Sequence, residues 1–249
     1  MAVQAFHTLW CRGLIATAAA AAALAAIEAA AAGRPARATA KPGLSAQVAS
    51  LPAAGQPPSS GRAELGQDKA DAERCVECHG LQGQGAGHPN GAEARVAKLA
   101  GQRASYIAKQ VQDFRSGRRK HDQMAIVARN VADEDLHDIA AWFASLPPMN
   151  SGSTASANAA QGQALFEQGD PQRGIVPCGS CHGPQGRASE GSTADAPRLA
   201  GQEWRYLDQQ LRAWRDGSRS NGPTPVMNQI ARSLTDNEIE ALAEFLSSR

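Results

Sequence analysis

Aromatic residues are scarce in this sequence of 249 residues, since Phe, Trp and Tyr together make up 4% of it. A chain of this length fits one large domain or two small ones, and cores of that size normally bury more aromatic surface. We therefore expect another apolar group to complete the core. The sequence also lacks an excess of charge of one sign, because 25 Lys and Arg stand against 24 Asp and Glu. This balance excludes a polycation of the kind that binds nucleic acid.

Cysteine is rare as well, and four of the five cysteines lie in two copies of one motif. The copies are CVECHG at 75–80 and CGSCHG at 178–183. Cys-x-x-Cys-His is typical of covalent c-type haem attachment, in which both thiols bond the haem and the histidine ligates its iron. The expected attachment residues are Cys75, Cys78, Cys178 and Cys181, and the expected iron ligands are His79 and His182. A zinc site built from the two cysteine pairs would leave both histidines unexplained. The sequence therefore predicts two c-type haems with their iron.

Long apolar runs are missing except near the N-terminus, where Arg12 precedes an alanine-rich run over 13–27. This layout predicts a secretory signal over residues 1–32, with cleavage as late as residue 38. An uncleaved membrane anchor is the alternative, but the alanine content and Glu28 disfavour a spanning helix. Export together with c-type haem predicts a periplasmic protein that associates with a membrane only through partners or an uncleaved leader.

The remaining chain contains an internal repeat. KLAGQRASYIAKQVQDFRSGRR at 98–119 matches RLAGQEWRYLDQQLRAWRDGSR at 198–219, and the segment 124–146 matches 227–248. We expect a flexible Pro- and Ala-rich leader over 33–61, a first domain over 62–149, a linker over 150–159 and a second domain over 160–249.

Both repeats have the apolar periodicity of helices. The residues expected on one buried helix face are Tyr106, Ile107, Val111 and Phe114, and their matches Tyr206, Leu207, Leu211 and Trp214. TDNE at 235–238 is a capping box that predicts the start of the last helix, and the matching helix should begin at Asp133. No alternating strand pattern of similar length occurs, so the predicted fold is all-α.

The sixth ligand of each haem iron, opposite the histidine, determines what the haem can do. An iron whose sixth position is occupied by a side chain favours electron transfer over reactions with small molecules. Met124 and Met227 each follow the histidine of their own motif by 45 residues. Methionine is usually core filler, but this shared spacing makes both residues the expected axial ligands. His121 is the alternative in the first repeat. His88, His137 and Met149 are not expected to bind iron.

Each proximal histidine also needs a hydrogen-bond partner for its second ring nitrogen, which fixes the orientation of the ring. The backbone carbonyl of Pro197 is the candidate in the second repeat, and Ala97 occupies the matching position in the first.

On these residues the sequence resembles cytochrome c4, a family of two-domain, di-haem class I cytochromes. The resemblance covers residues 62–249 and rests on the two Cys motifs, the paired LAGQ segments, FRSGRR with WRDGSR, and the downstream methionines. It implies two class I cytochrome c domains in tandem that face each other across a pseudo-twofold axis. The implied task is to carry single electrons from a quinol-oxidising complex or a dehydrogenase to a terminal oxidase or reductase. The long leader and Ala97 depart from the family pattern.

The leading hypothesis is thus an electron carrier with redox-protein partners and no catalytic residues of its own. A subunit of a larger redox complex would use the same fold. A di-haem peroxidase or thiosulfate-oxidising enzyme would need an open or displaceable iron ligand with acid–base groups beside it. The second repeat offers no histidine besides His182 for that role.

Overall fold

The computed structural model describes residues 61–85, 96–150, 158–188 and 196–249, and the two repeats have the same order of principal helices within these ranges. The expected signal, most of the leader and most of the linker lie outside the described residues, as do Cys11 and His88. The first repeat contains α1 (Ala63–Ala72), α2 (Cys75–His79), α3 (Ala104–Arg115), α4 (Asp122–Asn130) and α5 (Asp133–Ser145). The second contains α6 (Ala159–Gln168), α7 (Gly179–His182), α8 (Trp204–Asp216), α9 (Val226–Arg232) and α10 (Asp236–Ser247).

This architecture confirms the predicted all-α fold. Two short 3₁₀ turns, Pro171–Arg173 and Pro184–Gly186, complete the second repeat. Extended pairing in the described segments is confined to an isolated antiparallel bridge between Asp170 and Ile175. None of the helices in these segments is long and apolar enough to cross a membrane.

Local sequence signals set the helix starts. Thr235 and Glu238 form the predicted capping box at the start of α10, with each side chain bonded to the other residue's backbone N–H. The α5 helix begins at Asp133 as predicted. Acidic residues in its first turn stabilise the helix, because their negative charges interact favourably with the positive end of the helix dipole. His121 caps α4, because its Nδ1 accepts a hydrogen bond from the backbone N–H of Met124.

The first and last helices of each repeat cross at a glycine. A Cβ on Gly66 of α1 would lie 2.2 Å from the carbonyl oxygen of Asp138 on α5. A Cβ on Gly162 of α6 would lie 2.0 Å from the carbonyl oxygen of Ala241 on α10. Only glycine permits so close an approach of the two helix backbones at these positions.

Each repeat has its own core of buried apolar residues. On the predicted apolar faces, Ile107 and Phe114 of α3 are buried, as are Leu207 and Trp214 of α8. Val111 and Leu211 are half-buried and pack against the two cores. The tyrosines on those faces are half-buried, and their hydroxyl groups bond across to the other repeat. The apolar faces of α3 and α8, which the sequence assigns to the core, therefore also contribute to the contact between the two repeats.

Reciprocal hydrogen bonds join the two repeats. The Gln202 side chain accepts from the backbone N–H of Lys98 at 2.8 Å and donates to its carbonyl at 3.0 Å. Gln102 makes the matching pair of bonds with the backbone of Arg198, both at 2.9 Å. The described parts of both repeats accordingly belong to one compact unit.

Candidate functional site

A continuous cavity of about 1300 Å³ is lined by residues of both repeats. Its wall contains all eight residues that the sequence assigns to haem binding: Cys75, Cys78, His79, Met124, Cys178, Cys181, His182 and Met227. The helices α2 and α7 present the Cys-x-x-Cys-His motifs, and the first turns of α4 and α9 present the methionines. Residues more than forty positions apart in each repeat thus meet at one site.

Both histidines have one ring nitrogen engaged. Nδ1 of His79 donates to the carbonyl of Ala97 at 2.7 Å, and Nδ1 of His182 donates to that of Pro197 at 3.0 Å. These are the carbonyl partners that the sequence predicted, and Ala97 serves although it is not proline. Burial lowers the pKa of the two histidines by more than the hydrogen bonds raise it, so the pKa of each histidine lies below its usual value. Each ring is therefore neutral at neutral pH, with Nε2 left to bind a metal.

The four motif cysteines are half-buried and are not joined in disulfides. Burial raises the pKa of Cys75 and of Cys178 to about 11, so neither is a thiolate at neutral pH. In the described segments, no cluster of three or more His, Cys, Asp or Glu side chains is arranged to hold a metal ion.

The candidate sixth ligands differ in burial and in their hydrogen bonds. Met124 and Met227 are half-buried in the cavity wall. His121 also reaches this wall, but it is exposed and its Nδ1 is bonded to the helix backbone. Met149 is buried elsewhere, where its sulfur accepts a hydrogen bond from Gln202 at 3.3 Å. His137 is half-buried on α5 and does not line the cavity.

Comparison with known proteins identifies the fold. The family model described as cytochrome c matches residues 63–147 and again 159–249. The chain belongs to the cytochrome c family. It is 36% identical over 189 residues to "Cytochrome c4" of Thiocapsa roseopersicina, which covers 76% of this chain and 93% of that protein. It is 38% identical over 176 residues to "Thiosulfate dehydrogenase electron acceptor" of Stutzerimonas stutzeri strain A1501, which covers 70% and 78%.

A solved structure agrees with this assignment. The crystal structure of reduced recombinant cytochrome c4 from Pseudomonas stutzeri superposes with a TM-score of 0.67 at 36% identity, over 76% of this chain and 99% of that one. The chain therefore consists of two cytochrome c domains in tandem, carries two covalent c-type haems and acts as a di-haem electron carrier, as the resemblance implied.

The charges of the cavity wall suit two haems. Among the described residues that line it, no Asp or Glu occurs. The basic residues are Arg74, Lys98, Lys109, Arg118, Arg119, Lys120, Arg198 and Arg219. Each haem has two propionate groups, so a pair brings four negative charges that such a wall can neutralise. The donor set and the charge balance of the cavity therefore fit the cofactor.

Two buried arginines connect the cytochrome c domains at this wall. Arg119 donates to the hydroxyl of Tyr206 at 2.9 Å, and Arg219 donates to that of Tyr106 at 3.0 Å. Both guanidinium groups also donate to the side-chain carbonyl of Gln210 at 2.8 Å. Burial alone would raise the pKa of Tyr206, but the two cationic neighbours outweigh burial and lower it.

Sequence reasoning did not identify this arginine–tyrosine network. The sequence does contain an indication of this network, because Tyr and Arg recur at matched positions of the two repeats. Periodicity assigned the tyrosines to a core face, whereas their hydroxyl groups reach the other domain.

Proposed function

We propose that the protein is a periplasmic carrier that passes single electrons from a quinol-oxidising complex or a dehydrogenase to a terminal oxidase or reductase. The observation that carries this proposal is the pairing of a neutral histidine and a methionine in one cavity wall, once in each domain. Two such ligands fill the axial positions of a haem iron, and a filled iron favours electron transfer over substrate chemistry.

We assign His79 with Met124 to the first haem iron and His182 with Met227 to the second. Cys75 with Cys78, and Cys178 with Cys181, would form the thioether bonds. When bound, each haem supplies a one-electron iron couple. The chain's own residues hold the ligands, because the carbonyls of Ala97 and Pro197 orient the two imidazole rings. Arginines of the wall would neutralise the propionates.

A dehydrogenase is the favoured donor. A relative at 38% identity is named an electron acceptor of thiosulfate dehydrogenase. This name supports a carrier that receives electrons from such an enzyme, or a subunit of the complex that contains it. It does not favour thiosulfate oxidation by this chain, because in our assignment Met124 and Met227 would each hold a haem iron and leave no position for a substrate.

A kinetic experiment tests the proposed function. Oxidised holoprotein is mixed with thiosulfate in the presence and absence of a thiosulfate dehydrogenase, and separately with a quinol-oxidising complex and its quinol. We expect both haems to be reduced rapidly only when a donor enzyme is present. Reduction by thiosulfate alone at the same rate would show that the chain itself is the enzyme. Recovery of the native protein only in a stable complex would favour the subunit alternative.

The location of the protein is tested separately. Fractionation and N-terminal sequencing should recover it from the periplasm with a first residue between about Gly33 and Thr39, as a cleaved signal requires. Recovery only from membranes, with residues 1–32 intact, would favour an uncleaved anchor.

A further inference from the structure

His121 places a second metal-binding side chain beside Met124 in the first domain. Both residues line the cavity wall, and the His121 ring packs edge-on against Phe114, with the ring centroids 6.4 Å apart. Burial is the main cause of the lowered pKa of His79, and the nearby His121 lowers that pKa further. The two imidazole rings therefore lie close enough to interact electrostatically across the site that we assign to the first haem.

The hydrogen bonding of His121 leaves one of its ring nitrogens available. Nδ1 accepts a hydrogen bond from the backbone N–H of Met124 at 3.3 Å and so caps α4. Nε2 has no hydrogen-bond partner among the residues that the structure describes, and the side chain is exposed. Because the capping bond is long, it holds the imidazole only weakly in this position.

The second domain has no equivalent of this histidine. The segment before Met227, residues 220–226, reads SNGPTPV, and α9 begins after Pro225 without a side-chain cap. His182 is the only histidine in the sequence of the second repeat, and we assign it to the other side of the iron. Loss of the methionine ligand should therefore have different consequences in the two domains.

We propose that His121 is a reserve ligand, which takes the sixth position of the first haem iron when the sulfur of Met124 is oxidised. The inference rests on the proposed function, in which Met124 holds that position in the native protein. The oxidant is hydrogen peroxide. It transfers one oxygen atom to the thioether, which is oxidised by two electrons to a sulfoxide, and the peroxide is reduced to water.

Only a neutral imidazole can then replace the thioether. Nδ1 of His121 gives up the N–H of Met124 and takes a proton from water, while Nε2 releases its proton to water, so the ring keeps its neutral charge. Imidazole suits iron as a ligand. A second imidazole favours oxidised iron relative to a thioether, so the first haem becomes a weaker electron acceptor but stays closed to small molecules. Oxidation of Met227 leaves the second haem open instead.

Variants of the holoprotein test this exchange without an oxidant. Met124→Ala should keep a low-spin first haem, with the visible and EPR spectra of two imidazole ligands and no fast binding of carbon monoxide at neutral pH. Met227→Ala is the matched comparison, and its second haem should bind carbon monoxide rapidly. Fast binding by the first haem of Met124→Ala would overturn the inference.

Removing His121 as well identifies the ligand. Met124→Ala combined with His121→Asn should open the first haem to carbon monoxide, because asparagine can still cap α4 but does not replace the imidazole. A first haem that stays low-spin in this double variant would assign the sixth position to another side chain, such as Lys120, and would overturn the inference.

Peroxide provides an independent test, which also decides the question if Met124→Ala does not retain its haem. Native protein and His121→Asn are treated with hydrogen peroxide until peptide mass spectrometry shows one added oxygen on Met124. In the native protein we expect the first haem to lose its thioether-to-iron charge-transfer band and to fall in potential without binding carbon monoxide. In His121→Asn the same treatment should open the first haem. Equal responses of the two proteins would overturn the inference.

Spectra recorded before any treatment separate this inference from the proposed function. A native first haem without the charge-transfer band would contradict the assignment of Met124 as its ligand, and the inference would fail with that assignment. A native first haem that shows the band and opens to carbon monoxide once Met124 is oxidised would leave the proposed function intact and overturn the reserve ligand alone.

Discussion

At the scale of single residues, we propose that the haem chemistry depends on Met124 and Met227. Each lies in the first turn of its helix and is half-buried in the cavity wall. A thioether ligand favours reduced iron relative to a second imidazole, and axial ligation can vary haem potentials over about 0.8 V. The identity of these two residues should therefore set a large part of both potentials.

Replacing either methionine tests this assignment. Met124→His or Met227→His should keep the haem but lower its potential on the order of 0.1–0.3 V, with loss of the thioether-to-iron charge-transfer band. Redox titration followed by visible spectroscopy measures both effects. Met149→Leu is the control, because Met149 is buried outside the cavity wall and should leave both potentials nearly unchanged. An unchanged first haem in Met124→His would mean that His121 or another group is the ligand.

We expect Asp138 to contribute to the stability of the first domain against acid. Burial by itself would raise its pKa, but hydrogen bonds from the Arg62 backbone and the Lys69 ammonium lower the pKa to about 2. A lowered pKa stabilises the fold above the ordinary carboxyl pKa of about 4, and this contribution is lost as the pH falls from about 4 to 2.

Asp138→Asn should therefore reduce the free energy of unfolding by roughly 1–3 kcal/mol at neutral pH. The difference from the native protein should shrink as the pH falls toward 2. Denaturant unfolding at several pH values, followed by circular dichroism, measures it. Glu134→Gln is the control on the same helix, since Glu134 is exposed. A constant difference at every pH would show that the charge of Asp138 does not contribute.

At the scale of helices, the glycine crossings hold the first and last helices of each domain together. A Cβ on Gly66 would also lie 2.4 Å from the Cβ of Trp142, so α1 and α5 must separate to admit any side chain. Overpacking of this kind typically costs about 1–3 kcal/mol, and more where backbone is the obstacle.

We expect Gly66→Ala to destabilise the protein by at least about 2 kcal/mol, although alanine is the better helix former. Thermal unfolding followed by circular dichroism measures the change. Gln67→Ala is the control, because Gln67 is exposed on the same helix and its replacement should leave stability within about 0.5 kcal/mol. A stable Gly66→Ala protein would show that the crossing is looser than the structure indicates.

Sequence reasoning succeeded for these elements where the signal is local. The capping box at Thr235 and the start of α5 at Asp133 depend on a few adjacent residues, and both predictions are confirmed. The carbonyl partners of the histidines followed from the repeat. Contacts between the repeats could not be predicted, because Gln202 binds Lys98 across 104 residues and periodicity carries no information about that pairing.

At the scale of the whole molecule, reciprocal glutamine bonds join the two domains. The backbone groups of Lys98 are buried, so removal of the Gln202 side chain leaves a donor and an acceptor without partners. Each such loss costs about 1–3 kcal/mol. Gln102 makes the matching reciprocal pair of bonds with the backbone of Arg198.

We expect Gln102→Ala combined with Gln202→Ala to split thermal unfolding into two transitions, one for each domain. Calorimetry of the holoprotein measures them, and the native protein should show one. Gln112→Ala serves as control, since Gln112 is exposed on α3. Persistence of one transition in the double variant would show that other contacts between the domains, among them the arginine–tyrosine network, suffice to couple them.

The last prediction concerns the whole protein as a carrier or an enzyme. If Met124 and Met227 both bind iron, neither domain offers a vacant position to a small molecule, whereas electron exchange needs only close docking of a partner. Reduced holoprotein at neutral pH should then bind carbon monoxide slowly or not at all, and oxidised protein should turn over peroxide negligibly. Stopped-flow spectroscopy on freshly purified protein measures both, and Met227→Ala provides the positive control with one opened site. Fast binding of carbon monoxide to one haem of the native protein would favour the enzyme hypothesis, because the methionine of that domain would then not be a permanent ligand.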